Sequence, residues 1–65
     1  MDSKEIDRAM RDRLPVVYDG KRFEYIKDYI SWYDDNRRRR LSVLLIDSKH
    51  HAYRVPADKV ELADI

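Results

Sequence analysis

Tyr53-Arg54-Val55-Pro56-Ala57-Asp58-Lys59-Val60-Glu61-Leu62 is the stretch that decides the fold. Ala52 to Val55 is a short β-favouring run, and it must stop at Pro56, which has no N–H to give to a ladder. Val60-Glu61-Leu62 then makes a last short strand. Just upstream, Asp47-Ser48-Lys49-His50 has turn chemistry. Before that turn, Leu41-Ser42-Val43-Leu44-Leu45-Ile46 reads as a buried strand, with Leu41, Val43 and Leu45 on one face and Leu44 and Ile46 on the other.

Working further towards the amino terminus, Asp34-Asp35-Asn36-Arg37 is another turn. Lys21 to Tyr33 is rich in aromatic and β-branched residues and predicts a long strand. Its apolar positions are 23 and 25, then 26, 30 and 32, so the buried face switches near Ile26 to Asp28. Such a switch calls for a bulge or bend that lets one strand serve two sides of a curled sheet. The rival pattern is a helical stripe of Ile26, Tyr29, Ile30 and Tyr33. Val16-Val17-Tyr18 followed by Asp19-Gly20 predicts a strand ending in a tight hairpin turn, since Asp-Gly tolerates the positive φ such turns require. Between Asp2 and Leu14 the period is helical: Ile6, Ala9, Met10 and Leu14 mark one apolar face of an otherwise charged segment. Asp2 or Ser3 can cap it, and Pro15 predicts a stop at Leu14.

The closing run resembles that of small Src-homology-3-like barrels, in which a strand ends at Val/Ile-Pro, a single helical turn follows, and a short strand completes the barrel. On that resemblance Ala57-Asp58-Lys59 is the turn. Leu41 to His51 is similar to the body of the wider superfamily, which includes Tudor and KOW-type modules. The peptide-binding branch opens on an Ala-Leu-Tyr-Asp-Tyr-like motif and carries paired tryptophans, whereas this chain has Val16-Val17-Tyr18-Asp19-Gly20 and a lone Trp32, so no family binding site is carried over. The resemblance implies a mainly β, five-stranded barrel over residues 15–65, preceded by an amphipathic α-helix over residues 1–14, in one domain.

Composition limits what such a domain can do. Of 65 residues, 27 are charged, 14 basic against 13 acidic, so the net charge is only +1 and no long-range field marks the whole molecule for nucleic acid. The longest apolar run is too short to span a bilayer, and no secretory h-region precedes it, so a cytoplasmic address and no membrane partner are expected. There is no cysteine, which removes disulfides, thiol nucleophiles and zinc-thiolate sites. One glycine excludes a glycine-rich phosphate loop, and no serine has a nucleophile-elbow context. The carboxylates sit among Lys and Arg that keep them ionised. A non-enzymatic protein without cofactors is expected.

The residues left to carry function are Arg37, Arg38, Arg39 and Arg40, beside Trp32 and Tyr33. Arginines at a hairpin tip supply charge for phosphates and the neighbouring aromatics supply stacking surface, although adjacent strand residues point to opposite faces. Alternatively the arginines are a solvated tip answered by Asp34 and Asp35. His50-His51 lacks metal-ligand spacing. Seven aromatics exceed the needs of so small a core, so some should be exposed, as suits a protein interface. The helix stripe Ile6, Met10 and Leu14 either docks on its own barrel or offers a second interface, to a partner groove or to a second copy in a homodimer. The favoured expectation is an adaptor or accessory module, of the style of bacterial or phage accessory proteins, that binds a protein partner. The alternative is a nucleic-acid-binding barrel.

Overall fold

The computed structural model describes residues 1–63; residues 64 and 65, the end of the segment predicted as barrel, lie outside the described residues. Helix α1 spans Ser3–Arg11. Asp2 is its N-cap, accepting the Glu5 N–H at 2.8 Å. The helix ends before the predicted stop at Leu14, and Pro15 is not the cause. Arg13 takes a left-handed φ of 50°, and the N–H groups of Arg13 and Leu14 reach back to the carbonyls of Met10 and Ala9 at 3.4 and 2.9 Å. That pair of bonds is a Schellman termination, here without the glycine that usually announces it.

The strands are β1 (Val16–Tyr18), β2 (Lys21–Phe23), β3 (Tyr25–Tyr33), β4 (Arg39–Ile46), β5 (Ala52–Pro56) and β6 (Glu61–Leu62), with a single 3-10 turn, Ala57–Lys59, between the last two. They form two three-stranded antiparallel sheets, ordered β2-β1-β6 and β3-β4-β5. The Asp19-Gly20 turn joins β1 to β2 with φ of 53° and 74° at its two residues, the geometry that matches strand twist. The predicted long strand from Lys21 to Tyr33 is divided at Glu24, so that β2 and β3 lie in different sheets, and the Glu24 N–H donates to the Ile46 carbonyl at 2.8 Å. A register shift between Ile26 and Asp28 supplies the face switch that the apolar pattern required. Ile26 to Tyr33 is therefore strand and not helix. The division raises the strand count from the expected five to six, and the described residues form no closed barrel.

One core unites the elements. Ile6 and Ala9 of α1 pack with Val16, Phe23, Ile26, Val43, Leu45, Val55, Ala57 and Val60, while Met10 and Leu14 lie half-buried against them. The stripe Ile6, Met10 and Leu14 thus packs against its own chain, with Ile6 buried and Met10 and Leu14 half-buried. No helix among the described residues is long and apolar enough to cross a membrane.

The turns either side of β4 are built alike. In each an aspartate, Asp34 or Asp47, takes two backbone N–H groups on Oδ1: from Asn36 and Arg38 at 2.9 Å in the first, from Lys49 and His51 at 2.9 and 2.8 Å in the second. In each the fourth residue, Arg37 or His50, is left-handed, with φ of 60° and 65°. Both are type I turns closed by a left-handed bulge residue, a standard connection for antiparallel strands.

Candidate functional site

The β3–β4 register sets Trp32 opposite Arg40, Tyr33 opposite Arg39 and Ile30 opposite Ser42, and the β4–β5 register sets Ser42 opposite Pro56. Opposed residues share a face, so Ile30, Trp32, Arg40, Ser42 and Pro56 occupy one side of the sheet, and Tyr29, Ser31, Tyr33, Arg39 and Leu41 the other. The far half of this hairpin carries its large side chains in water: Ile30 is 48% exposed, Trp32 45% and Tyr33 71%. Trp32 is nevertheless fixed, because its indole N–H donates to Ser42 Oγ at 3.1 Å.

β5 ends at Pro56 opposite Ser42, and the chain turns into the 3-10 segment, so on the side away from β3 no strand flanks β4 over Arg39–Leu41. A notch of about 420 Å³ results, lined among others by Met1, Trp32, Arg40, Leu41, Pro56 and Lys59. Its floor is apolar and its rim mostly cationic. The Met1 amino group donates to the Ala57 carbonyl at 2.9 Å and pins the start of the chain beside it.

The four arginines do not act as one row. Arg40 Nε is 3.0 Å from Asp34 Oδ2 in an ion pair, and Arg39 Nε donates to Ser31 Oγ at 2.9 Å. Arg37 and Arg38 belong to the turn, and among the described residues neither guanidinium enters an ion pair with a carboxylate. β4 starts two residues earlier than its apolar pattern predicted, which places Arg39 and Arg40 on opposite faces. Asp34, read in sequence as the start of a turn and as a neutralising charge, is the anchor of the tip. The Arg38 N–H does most to hold its carboxyl below the usual value; partial desolvation opposes this, and Arg40 and the Asn36 N–H reinforce it.

Asp47, read in sequence only as the first residue of a turn, is a buried acid among the described residues. Withdrawal from water alone would raise its carboxyl. The N–H groups of His51 and Lys49 and the charges of His51 and Lys21 outweigh that and keep it below the ordinary value. Lys21 Nζ stands 3.6 Å from Asp47 Oδ2 and also lies over the rings of Phe23 and Tyr53, at 5.2 and 5.0 Å. The available signal for both anchors was an aspartate at the first position of each turn, Asp34-Asp35-Asn36-Arg37 and Asp47-Ser48-Lys49-His50. His51 Nδ1 is 3.8 Å from Asp47 Oδ2, and His50 occupies the left-handed turn position. Among the described residues no group of three or more His, Cys, Asp or Glu side chains is placed to hold a metal ion. Comparison of the chain with protein-family models, with curated proteins and with solved structures gives no match.

Proposed function

We propose that this chain is a non-enzymatic, cytoplasmic protein-interaction module of the Src-homology-3-like barrel type, which takes an extended segment of a partner protein in the notch between the β3–β4 hairpin and the 3-10 turn. Three features support the barrel type: β1 pairs with both β2 and β6, the chain bends at Glu24 from one sheet into the other, and a 3-10 turn joins β5 to β6. The observation that carries the interaction role is Trp32, a half-exposed indole held in place by Ser42 at the mouth of an apolar notch. A prefixed aromatic anchor loses little side-chain freedom on binding, which is why such residues dominate interface energetics. Arg39, Arg40 and Lys59 on the rim, with only Asp58 among the acidic lining residues, favour an acidic segment.

The nucleic-acid alternative is favoured by one feature, the guanidiniums of Arg37 and Arg38 at the tip, which enter no ion pair among the described residues. Trp32 fluorescence separates the two. Titration with short acidic and basic peptides, and with mixed-sequence single-stranded DNA and RNA, is run at low and high salt. An indole shift with acidic peptides that persists in salt, and is lost in Pro56→Glu, supports the protein module. Quenching by nucleic acid that vanishes with salt and with Arg37→Gln/Arg38→Gln replaces it by the alternative. Silence in both series overturns both.

A further inference from the structure

β3 is the outer strand of its sheet, and the half that runs from Asp28 to Tyr33 makes no backbone hydrogen bond outside its ladder with β4 among the described residues. A long, aromatic-rich strand edge left open is a template for pairing with another strand. Its sequence, Tyr29-Ile30-Ser31-Trp32-Tyr33, has the same character read in either direction about Ser31. Tyrosines stand at both ends, large apolar residues inside them, and a small hydroxyl residue at the centre.

We infer that β3 pairs antiparallel with β3 of a second copy about a two-fold axis at Ser31, joining two three-stranded sheets into one. In that register Ser31 faces Ser31 of the second copy, Ile30 faces its Trp32, and Tyr29 faces its Tyr33. Each contact therefore occurs twice, the self-complementarity that a two-fold interface demands. Aromatic and β-branched residues set directly opposite are the pairs that most favour strand association. The pairing is confined to Tyr29–Tyr33, because β3 changes register at Lys27 and the chain leaves the strand into the turn at Asp34.

The exposed parts of Ile30, Trp32 and Tyr33 amount to roughly 300 Å² per copy. That is below what an obligate dimer buries and places the pair among weak interfaces, so the dimer is concentration-dependent. Pairing uses the edge on both copies and does not propagate, since the opposite edge of the sheet, β5, ends in Pro56. The helix stripe that the sequence offered for self-association packs on its own core, and the symmetry of β3 takes its place. The pairing shares Trp32 with the notch, but Ser31 does not line the notch and lies on the opposite face from Trp32, so substitutions at Ser31 test the pairing apart from the notch.

The absence of cysteine makes the register directly testable. Residues directly opposed in an antiparallel pair have Cα atoms about 4.5–5.5 Å apart, within disulfide range. Under mild oxidation Ser31→Cys is expected to give a covalent dimer many times faster than Tyr33→Cys or a control Ser48→Cys in the β4–β5 turn. A mixture of Tyr29→Cys and Tyr33→Cys chains is expected to cross-link to one another. Sedimentation velocity of the unaltered chain is expected to show dimer growing with concentration, and Ser31→Lys, which sets two ammonium groups on the axis, to remain monomeric while keeping the circular dichroism of the folded chain. A monomer at every concentration, or Ser31→Cys cross-linking no faster than Ser48→Cys, overturns the inference.

Discussion

Truncating Ile6 tests whether α1 is part of the domain or an appendage to it. Ile6 is completely buried, surrounded by the residues of both sheets that make up the core. Ile6→Val removes one methylene, worth about 0.8 kcal/mol of transfer free energy and about 0.5–1.5 kcal/mol in a packed core. For a chain of this length each 1 kcal/mol moves the melting temperature by about 4–8 °C. Ile6→Ala removes three carbons, about 2.4 kcal/mol by transfer alone, and the residual cavity raises this to about 3–4 kcal/mol. A domain this small without disulfide or metal holds only about 3–5 kcal/mol in total, so Ile6→Ala is expected to leave a large unfolded population at room temperature. Urea denaturation followed by circular dichroism and by Trp32 emission measures both variants, with the exposed neighbour Asp7→Ala as control, expected within about 0.5 kcal/mol of the parent. A loss below about 0.5 kcal/mol for Ile6→Ala would refute the docked helix and return Ile6, Met10 and Leu14 to the status of an open stripe.

Replacing the left-handed His50 by glycine is expected to raise stability by about 0.5–1 kcal/mol, read as a higher melting temperature, because glycine takes φ of 65° without the steric cost that a Cβ brings. Asp34→Ala, which strips the tip of its acceptor for Asn36, Arg38 and Arg40, is expected to lower the melting temperature more than Asp35→Ala, whose carboxylate makes no such bonds. The acid limb of stability follows from the same two anchors. Asp34 and Asp47 titrate lower in the folded chain than in the unfolded one, so their contribution is complete above the ordinary carboxylate value of about 3.9 and is lost as pH falls through their depressed folded values. Melting curves from pH 6 down to about 2 should show that loss, and Asp47→Asn should flatten the slope; an unchanged slope would place the coupling elsewhere.

Local chemistry made much of this molecule legible. Asp19-Gly20 announced its turn because few residue pairs accept two positive φ angles, and the displaced apolar positions around Lys27 announced the irregularity in β3. Pro56 announced the end of β5. Where a signal was absent the boundary moved: nothing in Arg13 advertises a left-handed residue, so the helix end at Arg11 was not visible. Arg39 and Arg40 hid the start of β4 because strand pairing there is driven by Trp32 and Tyr33 across the ladder rather than by burial of the arginines themselves. The exposed aromatics followed from simple excess over what the core can hold. The division of labour among the arginines did not, since it depends on which of them Asp34 reaches from the far side of a turn. The notch was equally hidden, because it comes from β5 stopping short beside β4, a relation between segments far apart in the chain.

The pairing of β1 with β6 bears on how the chain acquires this shape. Val16 meets Leu62 and Val17 meets Glu61, contacts that span most of the sequence, whereas β3, β4 and β5 are consecutive hairpins whose turns each carry their own aspartate anchor. Closing a long loop is entropically costly before any contact rewards it, while a neighbouring hairpin needs only a few residues to be ordered. The meander around β4 can therefore assemble as the folding nucleus, and the β1–β6 seam zips last. The same seam, short and built from distant partners, is expected to open before the β4 ladders in the finished protein, which earlier amide exchange at Val16 and Val17 than at Val43 and Leu45 would register.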